Sequence, residues 1–418
     1  MSNTLLTHDM IAQRALFDLS NNLVLAGKVY RGYEGEFGTP VGGYQKGESV
    51  KVQLPNKFRA KKATAIDKVN AVESNTTVTV DVQAQVALDF TENDLTLKVE
   101  DFSRKYTNPA TIALANILDA DGFEEYKNIY NLVGTPGTTP STFRVLADIA
   151  ERMDNEAVPA DMERCAIWTP KAIWAMSDGE LKSVFQANIV ETMLRRGFRG
   201  NFAQMDHYMD QNVSSHTTGA FTTDSTPVMN GATAEGATSL NINGLKVSIT
   251  GIMKKGDIFT IAGVYACNPV SGKVWEGNQL RQFVVTADVN SNSSGEAVVP
   301  ISPTIYSSAA AEDNLPYQTV ITLPANGAAV TFVGTESTSY TQNLAFHRDC
   351  FACTVVPFKR PKSAGKSVDW GQASDKQLGL SITVVTAFDI DAYSEATRLD
   401  ILYGWDTIRP NLGVRITG

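Results

Sequence analysis

The sequence predicts an α+β protein that carries an inserted all-β domain, a barrel or a sandwich. Two stretches, one near the N-terminus and one after Asn108, repeat apolar residues at three-to-four residue spacing, as helices with one buried face do. Ser49–Leu54, Thr76–Leu88 and Leu380–Phe388 instead alternate apolar and polar positions, as half-buried strands do. From Gly219 to Gln342 only 14 of 124 residues are charged, against 19% overall, and short alternating runs are punctuated by turn residues. That shift marks a β domain of its own inside an α+β chain.

The N-terminal element comes first. Leu5–Leu25 sets Met10, Ile11, Ala15, Leu16, Leu19, Leu23 and Val24 on one stripe and is expected to form a helical arm. Tyr30–Gly47, rich in Tyr and Gly, reads as extended chain. The strands Ser49–Leu54 and Thr76–Leu88 flank a loop with Lys57, Arg59, Lys61, Lys62 and Lys68, which predicts a long hairpin. A hairpin alone buries little surface, so its expected place is on another chain. Asn108-Pro109 is a strong helix start, because Asn can cap free amides and Pro is preset for the first turn. The run to Val133, closed by Gly134, predicts about 25 helical residues and roughly 37 Å. Ser141 is expected to cap a helix reaching Asn155, with Phe143, Leu146, Ile149 and Met153 inward. Ala166–Trp168 reads as a strand and Pro170 opens a further helix. Within the insertion, strands are expected at Leu245–Ile252, Ile258–Val264, Gln282–Val289, Ala297–Ile301, Thr319–Leu323 and Val330–Val333. The charged composition then returns, with strands at Leu380–Phe388 and Leu399–Tyr403.

With 418 residues the chain has material for several domains and a sizeable core. Lys plus Arg number 36 and Asp plus Glu 45, a net charge of −9, which argues against a nucleic-acid reader with a basic face. The cysteines Cys165, Cys267, Cys350 and Cys353 are too few for a disulfide framework and point to a reducing compartment. The N-terminus lacks the pattern of a secretory signal, and no apolar run reaches the roughly 18 residues of a membrane span. A soluble protein made in the cytoplasm, without a membrane partner, is expected.

The search for chemistry returns structural readings. Cys350-Phe-Ala-Cys353 has the spacing of a redox dithiol but runs into apolar Thr354-Val355-Val356 and lacks a second ligand pair nearby, so it reads as two packed cysteines. His8, His207, His216 and His347 show no metal or triad spacing, and His347, beside Arg348 and Asp349, reads as a hydrogen-bonded structural residue. Gly365-Lys366-Ser367 ends like a phosphate-binding loop, yet Arg360 stands where the first glycine is needed. The pairs Asp389/Asp391 and Asp400/Asp406 are of a kind that 45 acidic residues produce freely. No catalytic residue, cofactor or metal is expected, and the chain does not read as an enzyme.

Particular residues narrow the fold. Gly200-Asn-Phe-Ala-Gln-Met-Asp206, with Met209–Val213 and His216–Gly219, resembles the end of the capsid domain ahead of the insertion in coat proteins of short-tailed bacteriophages. Gly251–Val264 is similar to the opening strands of their inserted domain, Asn343–Ala352 resembles the re-entry, and Leu402–Trp405 with Ile408–Pro410 the C-terminal strands. The resemblance covers nearly the whole chain and implies the tailed-phage and herpesvirus capsid fold: N-terminal arm, extended hairpin loop, long spine helix, mixed α/β core and inserted β barrel. It divides the chain into an arm (1–30), a hairpin loop region (31–88) and a peripheral domain with the long helix (89–140). The first part of an axial-type α/β domain (141–222), the inserted barrel (223–342) and the completion of both host domains (343–418) follow. A clear acidic loop, of the kind some relatives use across symmetry axes, is not located in this insertion.

The resemblance further implies a major capsid protein, a virion component that self-assembles as hexamers and pentamers into an icosahedral shell. A scaffolding protein and a portal would be its partners, with a procapsid that expands as double-stranded DNA is packaged and with only non-specific DNA contact. Lys57, Arg59, Lys61 and Lys62 of the loop, and Leu16 and Leu19 of the arm, are then the candidate inter-subunit contacts. The alternatives are a β-rich virion decoration or adhesin protein, which predicts trimers or monomers, and an enzyme with a β accessory domain, which predicts a convergent polar pocket.

Overall fold

A computed structural model describes residues 8–32, 49–60, 62, 74–91, 106–178, 200–359, 368–375, 379–389 and 394–418. In chain order they form α1 (His8–Asn22), β1 (Ser49–Gln53), β2 (Asn75–Thr79), β3 (Val82–Thr91), α2 (Asn108–Phe123), β4 (Leu132–Val133) and α3 (Phe143–Asn155). β5 (Arg164–Trp168), α4 (Pro170–Asp178), β6 (Gly200–Phe202), β7 (Met205–Met209) and β8 (Ser215–Thr217) lead to the insertion. The insertion comprises β9 (Thr223–Met229), β10 (Ala237–Leu245), β11 (Ile258–Tyr265), β12 (Leu280–Val285), β13 (Ala297–Ile305) and β14 (Val330–Phe332). β15 (Ser339–His347), β16 (Phe351–Val356), β17 (Val368–Asp375), β18 (Leu380–Asp389), β19 (Ser394–Thr407) and β20 (Gly413–Thr417) complete the chain. It separates into two compact units. One comprises Met1–Val52, Thr76–Phe123 and Phe351–Ile408, the other Gln53–Asn75, Glu124–Cys350 and Arg409–Gly418.

The first unit is built around β19. One edge of that strand takes β3, from Tyr403 opposite Val82 to Ser394 opposite Thr91. Its other edge is shared by β18, opposite Ser394–Asp400, and β16, opposite Leu402–Thr407, and β17 pairs outside β18. α1 packs against α2, β17 and β18. Ala12, Ala15, Leu16 and Leu19 fall on one face of α1 and are buried there. The helix stops before the expected Leu25 because Asn22 Nδ2 donates to the Asp18 carbonyl (2.6 Å), and the buried Asp119 of α2 then accepts from the amides of Val24 (2.7 Å) and Ala26 (2.9 Å).

Two expected elements are corrected. The long helix after Asn108 ends at Phe123 after 16 residues, so it is about 24 Å long rather than 37. Gly122 lies against Trp405, where a Cβ would meet Cζ2 at 2.5 Å, and the chain tightens into a 3-10 turn over Glu124–Asn128. Tyr126 in that turn, Ile129 just beyond it and Val133 in β4, all within the run predicted as helix, are buried in the second unit. The second hairpin arm also divides. Asn75–Thr79 pairs with β1 as a two-stranded sheet, whereas Val82–Thr91 leaves for β19. Asp406 Oδ2 accepts from the Thr79 amide (2.7 Å) at the point of departure.

In the second unit the host sheet runs β4-β20-β15-β5-β7-β6, with β8 pairing the start of β15. α3 turns Leu146, Ile149 and Met153 inward as expected, and its N-cap is Thr142 rather than Ser141. The insertion forms a six-stranded sheet in the order β14-β11-β12-β13-β10-β9. A bridge between Val228 and Ala329, with the Met229 amide donating to the Ala328 carbonyl (2.9 Å), brings the two ends of that sheet together, so it nearly closes into a barrel. Leu240, Ile242, Phe259, Ile261, Phe283, Val285, Val299 and Ile301 fill it. Two predicted strands differ: Leu245 ends β10, with Ser248 at φ +56° in the turn beyond it, and Thr319–Leu323 makes only an isolated bridge, Val320 to Ala266. β9, missed in sequence because Thr223–Met229 is polar and contains Pro227, lies at the seam, where a proline is tolerated.

Candidate assembly site

The hairpin tip and the insertion meet within the second unit. Leu54 is held at the base by its amide donating to the Ser74 carbonyl (2.9 Å). Arg59 then reaches the turn Asn268–Trp275, which Asn268 Oδ1 organises by accepting from the amides of Val270 and Ser271 (both 3.0 Å). Gly272 in that turn has φ +66°, and a Cβ there would stand 2.4 Å from Arg59 Nη2, so only glycine leaves the guanidinium its place. Arg59 Nη1 donates to Gln318 Oε1 (3.0 Å), and Lys57 Nζ lies 5.8 Å from the Tyr317 ring centroid. Loss of water around the ammonium lowers the Lys57 pKa; Glu156 opposes that shift, and Arg409 and Arg281 add to it.

Two buried polar networks fasten the insertion to its host domain. At the first, Asp257, just ahead of β11, accepts from His216 Nε2 (2.7 Å), from the Gly219 amide (3.1 Å) and from the Lys254 amide (2.6 Å). His216 Nδ1 meets the Tyr126 hydroxyl at 3.0 Å. Arg415 lies over the Tyr126 ring (4.9 Å) and donates to Gly256 O (2.6 Å) and Gln342 Oε1 (3.0 Å). Burial lowers the His216 pKa, against the pull of Asp257, and brings that of Arg415 down to about 10. At the second, Arg281 of β12 donates from Nη1 to Glu156 Oε1 (2.6 Å), with both side chains 3% exposed. The Arg281 guanidinium lies 4.4 Å from the Tyr130 ring centroid and 5.7 Å from that of Trp275, on which Arg152 also lies at 4.9 Å. Burial, with the neighbouring Arg281, lowers the Arg152 pKa to about 10.

These groups are all committed to structure. His207 accepts from Trp168 Nε1 at Nδ1 (2.9 Å) and donates from Nε2 to Phe202 O (3.2 Å), and burial lowers its pKa to about 4. His347 contacts Asp161 at 3.1 Å. The four cysteines are buried and form no disulfide, and among the described residues no group of three His, Cys, Asp or Glu could hold a metal ion. No described helix is long and apolar enough to cross a membrane.

The candidate contacts named from sequence do not converge. Leu16 (8% exposed) and Leu19 (0%) belong to the core of the first unit, which corrects their assignment to a neighbour: the stripe of α1 is covered by its own chain, and Met10 and Phe17 are what that helix exposes. Lys57 and Arg59 belong to the second unit, Lys62 is exposed, and Lys61 lies outside the described residues. Sequence reasoning missed Asp257, Arg281, Glu156 and Gln318. The available signal was a single charge set among apolar barrel residues, as in Asp257-Ile-Phe259 and Leu280-Arg-Gln-Phe283.

Residues 3–418 match the family described as P22 coat protein, gene protein 5. The chain belongs to the P22 coat protein family. No curated protein matches it. Among solved structures it is similar to one from Mycobacterium phage Che8, with 14% identity and a TM-score of 0.47 over 94% of this chain and 90% of that one. The structure from Mycobacterium phage Ogopogo gives 9% and 0.42 over 94% and 91%, and the capsid of Ralstonia phage GP4 gives 7% and 0.43 over 89% and 84%. As a P22-family coat protein, the chain is a major capsid protein of a tailed phage, a structural subunit whose copies form the shell. Its α+β host with an inserted β barrel is the capsid fold that the sequence led us to expect.

Proposed function

We propose that this coat protein, made in the host cytoplasm, is assembled by a scaffolding protein around a portal into a procapsid that expands as double-stranded DNA enters. The observation that carries this reading is the two-stranded sheet β1–β2, whose paired strands have no third strand beside them among the described residues and which leads to a basic tip. Such an element gains most of its burial from a neighbour, and the complementary surface in an acidic shell is another copy of the chain. Each contact can be weak, since about 4 kcal/mol is only millimolar affinity, and many per subunit still close a shell. The test is negative-stain microscopy of the purified chain, alone and with the candidate scaffold protein from the same phage. Irregular shells or spirals without scaffold and uniform shells with it are expected. Uniform full-size shells without it would remove the scaffold from the proposal, and trimers or monomers under both conditions would overturn the proposed scaffolded assembly.

A further inference from the structure

The docked hairpin tip is held with unmet hydrogen-bonding capacity. Arg59 uses Nη1 on Gln318, yet Nε and Nη2, the side-on fork that takes a carboxylate with two parallel bonds, are buried with no acceptor among the described residues. A buried donor left without a partner opposes the conformation that buries it. The next residue inward, Phe58, is 71% exposed and gains little from the dock. Lys57 stays exposed, with its ammonium 5.8 Å from the Tyr317 ring centroid, so it adds only a weak contact to the dock. Against the unmet donors stand one side-chain hydrogen bond, the Lys57–Tyr317 contact and the fit of the guanidinium over Gly272.

We propose that the docking of Lys57 and Arg59 on the chain's own barrel is an autoinhibitory contact, which a free subunit holds and gives up when a neighbouring copy offers the Arg59 fork a carboxylate. This rests on the assembly reading above. Docking on the chain's own Gln318 keeps the tip from offering that fork to other subunits prematurely, and the unpaired donors keep the latch weak enough to open.

Gln318 is the residue through which the latch can be tuned in both directions without touching the tip. Gln318→Leu removes the acceptor, and Gln318→Glu makes the acceptor at Nη1 a charged carboxylate, at the loss of the bond that Gln318 Nε2 donates to the Val320 carbonyl (2.9 Å). Trypsin cleavage after Lys57 and Arg59 of the soluble subunit, followed by mass spectrometry, reads the open fraction, and light scattering reads assembly. Gln318→Leu is expected to be cleaved about tenfold faster than wild type and to assemble faster. Gln318→Glu is expected to be cleaved about tenfold more slowly and to assemble more slowly. Faster cleavage without faster assembly overturns the inhibitory role, and identical cleavage of all three proteins overturns the docking. Should Gln318→Leu fail to fold, Gln318→Glu against wild type still decides the sign. If none of the three forms shells, the assembly reading falls and the inhibitory role with it, and the order of cleavage rates separates that failure from an undocked tip.

Discussion

Removing Glu156 leaves Arg281 as a charge buried without its counterion. The pair is 2.6 Å apart, and each side chain is 3% exposed. At an effective dielectric near 20 that separation corresponds to roughly 6 kcal/mol of attraction, most of it offset by the cost of taking two ions out of water. Deleting one partner keeps the second cost and loses the attraction, so Glu156→Ala is expected to destabilise the protein by about 3 to 5 kcal/mol. Arg152, which shares the Trp275 ring with Arg281, adds like-charge repulsion once Glu156 is gone. Replacing both partners, as Glu156→Met with Arg281→Met, is expected to cost under about 2 kcal/mol. A half-exposed comparison is available in Arg164–Asp154. Asp154 is 60% exposed, and Arg164 also donates to the carbonyls of Val158 and Pro159, so Asp154→Ala is expected to cost about 1 kcal/mol or less. Urea unfolding of the soluble subunit, followed by tryptophan fluorescence with Trp275 beside the pair, gives all three numbers. A single variant no worse than the double one would show that the pair is solvated in solution, and the reasoning would fail.

Three further outcomes are expected. Stability falls as pH drops from about 6.5 to about 4, because His207 stays neutral in the folded state while the unfolded chain takes up the proton; the contribution is about 3 kcal/mol, and His207→Gln should flatten that part of a pH series of unfolding midpoints. The physical cause is burial of the ring, and Nδ1, which already accepts from Trp168 Nε1, offers no place for a second ring proton. Gly122→Ala forces a methyl to within 2.5 Å of Trp405 and 2.8 Å of Leu25, and an overpacking cost of about 1 to 3 kcal/mol should appear as an earlier urea midpoint, with an unchanged midpoint counting against the close packing. Phe259→Ala empties a fully buried position that packs against the Phe283 ring and edge-on to that of Phe332 in the barrel, and a loss of about 3 to 5 kcal/mol confined to barrel amides is expected in hydrogen exchange; protection lost equally throughout the chain would contradict a separate barrel core.

The barrel was legible because its inner positions obey period two. Ile258–Val264 and Ala297–Ile301 appear as strands in the sequence and in β11 and β13. What was illegible depended on partners far away in the chain. Tyr126 and Ile129 keep helical spacing, yet the close packing of Gly122 on Trp405, 283 residues later, ends the helix before them. Leu16 and Leu19 show a stripe but not what covers it, since β17 and β18 lie more than 340 residues downstream. Arg59 was recognisable as a basic loop residue, whereas its seat on Gln318 depends on a turn brought to it only by the fold. A stripe or a charge states a need for a partner, and spacing alone does not name it.

The position of β20 bears on when the molecule can become whole during its own synthesis. Both neighbours of β20, β4 and β15, have emerged from the ribosome well before Gly413–Thr417 is made, and β3 likewise precedes β19 by some three hundred residues. The barrel, by contrast, has all its strands by Phe332. At roughly 5 to 20 residues per second the remaining 85 residues to Thr417 take about 4 to 17 s, during which a finished barrel is tethered to host strands with open edges. β20 therefore closes the host sheet late: a chain that stops short of Gly413 has every barrel strand but leaves a gap between β4 and β15, and unpaired strand edges of that kind invite aggregation.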